Sequence, residues 1–480
     1  MLAHKYRFFW FYFSVLGFAG ISTALFNDFP IVLGIPIVLA IVYFAIFHLD
    51  YLFEFVVLAT PLSINFENLS DFGGIGFYMP TEPLLLGITV LVLIRSLVND
   101  RIDRSVLSHP LSMAILFYLG WTLITCFTSS NIGVSLKFFL SKLWFIVPIF
   151  YFGATYFKSR EKIKRFLRLY FFSLTIVIVY TLIRHSFYGF GEDQGHWVMT
   201  PFFKDHTSYG AVLALMLPAL IGIFFLARDN VQKLLLGFLI LMYLFALYFS
   251  YTRAAYISVA GALVLLLLIK YKIKFSYVLT VVLCVGALLF ANKDAIWMSL
   301  KKNKSEHATE EFSERIQSIS NVSSDASNLE RLNRWACAYE MFKKKPVFGY
   351  GPGTYAFEYA PFQHHEDLTI ISTNFGDGGN AHSEYLGPLA ESGLMGMISM
   401  LLVVAVLFYS GIKLYFKLQD PWYKTIILIG ILGLFTYFTH GILNNYLDTD
   451  KASIPVWGFA AIIVATELRL KRGELEESAA

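Results

Sequence analysis

Long apolar segments alternate with short polar connections along almost the whole chain. About 20 apolar residues cross a bilayer, and a helix satisfies its own backbone there, so these segments are predicted to span a membrane as helices. They lie near residues 8–27, 29–49, 51–65, 82–98, 110–127, 138–157, 166–186, 206–227, 232–250, 254–270, 275–291, 392–412, 424–446 and 453–468. This pattern predicts 14 spans, or 12 if the short segment 51–65 and its predecessor form a re-entrant pair.

Basic residues fall on every second connection. Lys and Arg gather within 95–104, 158–168, 228–233, 270–274, 413–424 and 469–472, whereas the intervening connections contain few of them. Cytoplasmic loops carry this excess, so both termini are predicted to be cytoplasmic. Lys5 and Arg7 precede the first apolar segment, which we interpret as a span because no cleavage site followed by a soluble domain comes after it.

The composition excludes several classes of protein. Of 480 residues, 57% are hydrophobic and only 15% are charged, which is far from the balance of a soluble, disordered or nucleic-acid-binding chain. The three cysteines do not make a disulfide framework. Neither a Cys cluster nor a Walker motif is present, so we expect no metal and no cofactor. The predicted fold is an all-α, polytopic transmembrane helical bundle.

One long polar stretch interrupts the bundle. Residues 292–381 contain ten Lys or Arg and twelve Asp or Glu, and the topology places them on the outer face. We predict a helical loop subdomain there, between transmembrane parts at 1–291 and 382–470 and before a cytoplasmic tail at 471–480. Leu332, Trp335, Tyr339 and Phe342 recur at helical spacing, and Pro346 ends that helix.

The face of this predicted helix carries a candidate anion-binding residue. Arg331 points in the same direction as Trp335 and Phe342, which predicts that it is buried, whereas Glu330 points away. A buried guanidinium needs an anionic partner, so Arg331 either forms an internal ion pair or binds an anionic ligand. Arg334, at the flank, is predicted to lie at the surface.

Arg253 breaks the charge pattern. It follows Ser250-Tyr251-Thr252 at a predicted outer turn, where Arg is otherwise rare. The side chain either extends to the membrane–water interface without a ligand or binds an anion in a cavity that opens to the outer side. Its planar guanidinium suits phosphate oxygens through paired hydrogen bonds.

Other polar residues stand where spans meet the outer side. Lys204 and His206 flank Asp205 at the start of a span, where Asp205 is predicted to cap the helix. These two residues, and Arg184 at the end of the preceding span, are possible auxiliary contacts for a phosphate or sugar. His382 stands where the outer stretch re-enters the membrane. It is either a polar residue at a helix start or a base, because a neutral imidazole accepts a proton near physiological pH.

Three motifs, in order, resemble the superfamily of bacterial O-antigen ligases and O-antigen polymerases, and they are most similar to the ligases. The first is Ser250-x-Thr252-Arg253. The second is Arg331-x-x-x-Trp335 with the glycine-rich Pro346-x-Phe348-Gly349-x-Gly351-Pro352-Gly353. The third is His382-Ser383-x-Tyr385-Leu386-x-x-Leu389-x-Glu391-x-Gly393-x-x-Gly396. The family often has Asn where this chain has Ser383.

This resemblance implies a GT-C-type glycosyltransferase of the cell inner membrane whose active site faces the periplasm. The implied donor is a glycan on undecaprenyl pyrophosphate, and the implied acceptor is a hydroxyl of the lipid A core, as in lipopolysaccharide biosynthesis. Arg253 and Arg331 would bind the pyrophosphate and His382 would act on the acceptor, with Tyr385 as a possible auxiliary residue. Two arginines can stabilise the leaving charge without a metal, and a single displacement would invert the anomeric configuration.

The alternatives within the superfamily are an O-antigen or exopolysaccharide polymerase and a protein O-oligosaccharyltransferase. From another class, a flippase or transporter of lipid-linked glycans is the competing hypothesis. Such transporters usually show internal repeats and charged or broken helices near the membrane midplane. The candidate residues here gather at the outer face instead, which favours an enzyme.

Overall fold

The computed structural model describes residues 34–65, 78–98, 103–274, 326–363 and 379–476, apart from a few isolated positions. Two compact units comprise Met1–Val56 and Val57–Ala480. The helices are α1 Gly34–Phe47, α2 Leu49–Ala59, α3 Thr81–Val98, α4 Arg104–Leu107, α5 Pro110–Phe127, α6 Ile132–Ile146, α7 Gly153–Tyr156, α8 Arg160–Ser186, α9 Glu192–Gly195, α10 His206–Leu226, α11 Asn230–Tyr248, α12 Arg253–Lys270, α13 Ala326–Lys344, α14 Tyr355–Glu358, α15 Leu386–Lys417, α16 Pro421–His440 and α17 Asp450–Lys471.

Shorter elements complete the described chain. A π-helical turn at Val147–Phe152 joins α6 to α7, and 3-10 turns lie at Thr60–Leu62 and Ala360–Phe362. Strands β1 (Ile64–Asn65) and β2 (Tyr78–Met79) pair antiparallel, with Ile64 opposite Met79.

Within the described residues, ten helical stretches are long and apolar enough to cross a membrane. They are α3, α5, the continuous stretch α6–α7, α8, α10, α11, α12, α15, α16 and α17. All ten coincide with predicted spans, so the all-α, polytopic helical class is confirmed.

The remaining predicted spans have different outcomes. The segments 8–27 and 275–291 lie outside the described residues, as do 292–325 and 364–378 of the polar stretch, apart from isolated positions. Segment 29–49 contains α1, and segment 51–65 contains α2 followed by a 3-10 turn and β1. Because α2 has 11 residues, it is about 16 Å long and too short to cross a bilayer alone. This length favours the re-entrant alternative for that segment.

The predicted span 424–446 extends too far. Helix α16 ends at His440, and the chain then forms a loop through residues 441–449 before α17 begins. Apolar Ile442 and Leu443 prolonged the hydropathy signal, but the N–H groups of Gly441, Ile442 and Leu443 bond to carbonyls three or four residues back and close the helix end.

Side-chain caps fix where several spans begin. The Asp205 carboxylate accepts a hydrogen bond from the Ser208 N–H at 2.7 Å, as predicted for the start of α10. Asp229 and Asp420 cap α11 and α16 in the same way, through the N–H groups of Gln232 and Trp422. Each carboxylate satisfies an N–H group that the first helical turn leaves open.

Helix α17 lies at the centre of the larger unit. Most of its residues are buried, including Asp450 and Lys451 at its start. Around it, α10 packs on α16, α12 packs on α16, and α15 packs on α5. Helix α13 of the polar stretch packs on α15, which attaches this helix to the bundle.

The face of α13 that is buried differs from the predicted one. The buried side chains are Glu330, Asn333 and Arg334, followed by the apolar Cys337, Ala338 and Met341. Arg331 and Trp335 are only partly buried, and Tyr339 is 51% exposed. The predicted face and the surface position of Arg334 were therefore wrong, because the helix buries a Glu–Arg ion pair that a hydropathy pattern assigns to the solvent.

Helix α15 breaks where the glycine-rich loop meets it. Gly393 has φ +69°, and a Cβ there would lie 2.2 Å from the Val347 carbonyl oxygen. Groups outside α15 donate hydrogen bonds to three carbonyls at this break. The Tyr350 N–H donates to Ala390 at 3.2 Å and the Gly351 N–H to Glu391 at 2.7 Å.

The third of these carbonyls, that of Ser392, accepts a hydrogen bond from the Trp121 indole Nε1 at 2.8 Å. Gly349 also packs directly on this backbone, since a Cβ would lie 2.3 Å from the Glu391 carbonyl carbon. The glycine-rich motif thus docks the loop subdomain on the broken helix, backbone to backbone.

Candidate active site

A cavity of about 310 Å³ lies at the end of the bundle where α10 and α17 begin. We call it the histidine cavity. It is lined by polar side chains from four segments of the chain, among them Lys204, Asp205, Asn380, His382, Tyr446 and Lys451. Residues 441–449, which follow α16, form one wall.

His382 occupies the wall in an unusual backbone conformation. Its φ is +47°, a left-handed conformation that costs free energy in a residue other than glycine. Two contacts hold the turn: the His382 N–H donates to Asn380 Oδ1 at 2.9 Å, and the Trp335 indole Nε1 donates to the His382 carbonyl at 3.5 Å. The positive φ is therefore maintained by its neighbours and directs this residue to the cavity wall.

The helix start next to His382 is capped by another residue. Ser383 Oγ accepts hydrogen bonds from the N–H groups of Tyr385 and Leu386, both at 3.3 Å. Ser383 therefore caps this helix start, which is the role that the alternative interpretation gave to His382. Among the described residues, the imidazole of His382 makes no hydrogen bond that would commit it to the helix start.

The electrostatic surroundings keep this imidazole neutral. Burial, together with the cations of Arg334 and Arg331, lowers the pKa of His382 from 6.5 to about 4, against the opposing charges of Glu330 and Asp205. A neutral imidazole at physiological pH can accept a proton. Arg331 is thus close enough to influence this group, although its side chain is not part of the cavity wall.

Opposite His382, a chain of hydrogen bonds fixes the acidic side of the cavity. The Thr207 hydroxyl donates to Asp205 Oδ1 at 2.6 Å, and it also contacts the Tyr446 hydroxyl. The pKa of Tyr446 is raised well above its usual value by burial and by the nearby charge of Asp205. Asp205 therefore serves both as the cap of α10 and as a fixed negative charge facing the cavity.

Two lysines line the same cavity, but they differ in accessibility. Lys204 is exposed, as an auxiliary contact for a ligand would require. Lys451 is buried, and its Nζ donates to the carbonyls of Thr60 and Ser63 at 3.1 and 2.9 Å. Lys451 thus mainly ties α17 to the 3-10 turn.

Arg253 and His206 lie together at two neighbouring helix starts. The Thr252 hydroxyl donates to the His206 carbonyl at 2.8 Å, which joins the start of α12 to that of α10. The Thr252 side chain does not cap α12. His206 stacks on His196 with ring centroids 4.2 Å apart. An anion at this point would meet the Arg253 side chain and the N-terminal end of a helix.

Arg184, a candidate auxiliary residue, is engaged elsewhere. Its guanidinium donates to the Thr200 carbonyl at 2.6 Å and stands 4.8 Å from the Trp197 ring. These contacts fold the loop between α8 and α10. Arg184 is not brought to the histidine cavity.

Tyr385 is also directed away from the cavity. Its hydroxyl donates to the Phe438 carbonyl at 2.9 Å, which fastens the segment after His382 to the end of α16. Tyr385 therefore fixes this segment to α16.

Arg334 makes the internal ion pair that the sequence suggested for Arg331. Its Nε stands 2.8 Å from Glu330 Oε1, with both side chains at most 6% exposed. The same guanidinium donates to the Asn380 carbonyl at 3.3 Å and stacks 4.8 Å from the Tyr359 ring. It therefore links α13 to the segment that carries His382.

In the part of the chain that the structure describes, no group of three or more His, Cys, Asp or Glu side chains is arranged to hold a metal ion. The sequence alone did not indicate several residues that line the cavity. They are Asn380, Asn444, Asn445, Tyr446, Asp448 and Lys451. Most of them belong to residues 441–449, which hydropathy had assigned partly to a span. The polar run Asn444-Asn445-Tyr446 was the available signal.

Residues 237–401 match the family model described as O-antigen ligase. The chain carries an O-antigen ligase domain. The match confirms the resemblance drawn from the motifs, and it contains Arg253, Arg331, His382 and Tyr385. A search of curated proteins finds no match.

This O-antigen ligase domain supports a transferase that moves glycans in O-antigen processing. In general terms, its substrates are a lipid-linked glycan donor and a glycan or lipid A acceptor. Together with the ten apolar helices, the domain also supports a multi-pass membrane protein.

Proposed function

We propose that this protein transfers a glycan from undecaprenyl pyrophosphate to a hydroxyl of the lipid A core on the periplasmic face of the inner membrane. The observation that carries the proposal is the position of His382. Its imidazole lines the histidine cavity and is neutral, while Ser383 caps the following helix. A residue in this state is suited to take the proton of an acceptor hydroxyl.

In the proposed reaction, His382 removes the proton as the acceptor oxygen attacks the anomeric carbon. The bond from that carbon to the pyrophosphate breaks, and the leaving group departs as undecaprenyl pyrophosphate. Arg253 and Arg331 stabilise its charge, so that the step needs no metal. One displacement inverts the anomeric configuration, and no covalent glycosyl-enzyme forms.

The negative charge of the bound donor also makes His382 a stronger base. Arg331 and Arg334 lower the pKa of His382 in the ligand-free protein. A bound pyrophosphate screens such cations and raises this pKa, which makes the imidazole a stronger base when the donor is present. Donor binding thus prepares the proton acceptor.

The proposed orientation follows from the basic connections. Helices alternate in direction, so the connections rich in Lys and Arg lie at the end opposite the histidine cavity. Arg160 pairs there with Asp420, and Arg472 pairs with Asp103. By the positive-inside rule this arrangement supports a cytoplasmic location for that end and for both termini, and a periplasmic location for the cavity.

The decisive experiment is a transfer assay with purified protein in nanodiscs, a lipid-linked glycan and the lipid A core. A general base contributes on the order of 10²–10⁴ in rate, so His382→Gln and His382→Asn should lose that much. Ser383→Ala is the comparison, because it removes the neighbouring cap and leaves the imidazole. It should lower the melting temperature and reduce transfer far less than His382→Gln does. A His382→Gln enzyme with nearly normal transfer would refute the general-base role.

The same assay separates the alternatives. Lipid-linked glycan alone as acceptor tests a polymerase, and a periplasmic protein acceptor tests an O-oligosaccharyltransferase. Scrambling of lipid-linked glycan in liposomes, without transfer to any acceptor, would indicate a flippase instead.

A further inference from the structure

A second cavity of about 180 Å³ adjoins the histidine cavity. The segment 379–384 divides the two: His382 lines the first, whereas Ala381, Ser383 and Glu384 line the second. Asn380, Asn445 and Asp448 belong to both walls. A ligand in the second cavity would therefore lie next to the imidazole.

Acidic groups dominate this second cavity, which we call the acidic cavity. Glu384, Glu391 and Asp448 line it, together with a single ammonium group, that of Lys142. The Lys142 Nζ is held 3.0 Å from Asp448 Oδ1 and 4.4 Å from the centre of the Phe138 ring. Carboxyl groups outnumber the single ammonium group, and their oxygens can accept hydrogen bonds from a ligand even where burial raises the pKa, as it does for Glu384.

The carboxyl groups are held in place by the surrounding backbone. Glu384 Oε1 accepts from the N–H groups of Tyr446 and Leu447 at 2.8 and 2.9 Å and from the Tyr437 hydroxyl at 2.5 Å. Glu391 Oε1 accepts from the Tyr355 N–H at 3.1 Å. These contacts fix the walls of the cavity before any ligand enters.

The chemistry of this lining selects the ligand. Fixed acceptor oxygens beside the aromatic rings of Tyr118, Phe138 and Tyr355 suit a molecule with many hydroxyl donors and an apolar face, which describes a sugar ring. A phosphate or carboxylate would bring further negative charge beside buried carboxyl groups, whose ionised forms burial already disfavours. The volume is about that of one monosaccharide.

We propose that the acidic cavity is a subsite for one uncharged sugar unit of the acceptor. This inference rests on the proposed function, because it assigns the acceptor to a place beside His382. The first sugar of the donor is excluded, since its anomeric carbon carries the pyrophosphate and would bring two negative charges to the carboxyl groups. Asp448, on the shared wall, orients the sugar so that its reacting hydroxyl points to His382.

Two-substrate kinetics test the proposal. Asp448→Asn removes the charge of the shared carboxylate, and Glu391→Gln changes the opposite wall while keeping an acceptor oxygen for Tyr355. Hydrogen bonds to charged groups are strong enough that each variant should raise the KM for the acceptor roughly tenfold or more, with the KM for the donor unchanged. Asp193→Asn, at an exposed site in α9, is the matched control and should change neither. A rise in the donor KM alone would overturn the assignment.

A binding measurement tests the sugar subsite independently of the transfer reaction. Saturation-transfer NMR on the His382→Ala protein in nanodiscs, with methyl glucoside, methyl galactoside and a methyl heptoside as probes, does not require catalysis. At least one neutral glycoside should bind, its signal should be lost in the added Asp448→Asn variant, and galactose 6-phosphate should give none. Equal binding of the phosphate, or no loss with Asp448→Asn, would refute the sugar subsite even if transfer itself is confirmed.

Discussion

Replacing Arg334 should unfold the loop subdomain, although a surface role was expected from the sequence. Arg334→Ala removes the partner of an ion pair whose two side chains are at most 6% exposed. Breaking a buried pair from one side costs about 3–5 kcal/mol. The contact with the Tyr359 ring adds on the order of 1 kcal/mol. The total is comparable to the stability of a whole small domain.

The assay is limited proteolysis and thermal melting of the purified protein in detergent. Arg334→Ala should expose the subdomain to protease at temperatures where the parent resists, and its transfer activity should fall with the folded fraction. The double variant Glu330→Leu/Arg334→Met replaces both charges with apolar groups of similar size. It should recover most of the stability, because a buried pair is often worth no more than a well-packed apolar contact.

Arg331→Lys is the matched control on the same helix, since this side chain is only partly buried. It should leave the proteolysis pattern unchanged. The reasoning fails if Arg334→Ala melts like the parent, or if the double variant is as unstable as the single one. In the first case the pair contributes little, and in the second the contacts of the guanidinium with Asn380 and Tyr359 are the ones that matter.

Four further predictions concern the site. Because the pKa of His382 is about 4 in the ligand-free protein, the imidazole stays neutral down to that pH, so kcat/KM should fall only near pH 4. The limb in kcat should lie at higher pH, and a common limb near 6.5 would show that the surroundings of His382 do not lower the pKa of its imidazole. Arg253→Lys keeps the charge but loses the planar fork, so transfer should drop about 100-fold or more with normal membrane insertion; an active enzyme would exclude a pyrophosphate contact. Gly393→Ala should destabilise the protein by several kcal/mol, because it combines a positive φ with a backbone clash, and an unchanged melting temperature would contradict the break in α15. EDTA should leave transfer intact, and a loss restored by Mg²⁺ would show that the reaction requires a metal ion.

Hydropathy predicted the bundle well, since a membrane span needs a run of apolar residues whatever surrounds it. All ten long helices of the described chain were found this way. The same rule placed the end of α16 too late, because Ile442 and Leu443 are apolar residues of a loop. The sequence pattern also assigned Arg334 to the surface, because a charged side chain is expected to be exposed when the sequence indicates no partner for it.

The candidate site was only partly accessible from the sequence. His382 was found because a motif marked it, and its partners in the cavity were not, because Asp448 and Tyr446 are brought to it by the packing of α16 and α17. The internal ion pair considered for Arg331 is made by Arg334, which lies three positions further along and therefore about 60° away around the helix. That difference depends on which face of α13 docks on α15, and on the partner that Glu330 supplies.

The break in α15 has a consequence for which side chains of the glycine-rich loop can change. The loop is attached there through the main-chain N–H groups of residues 350–351 and the carbonyls of residues 390–391, and Gly349 and Gly393 allow the close approach. Main-chain bonds do not depend on the identity of the side chains that flank them. The side chains beside these glycines can therefore be exchanged while the loop stays attached to α15.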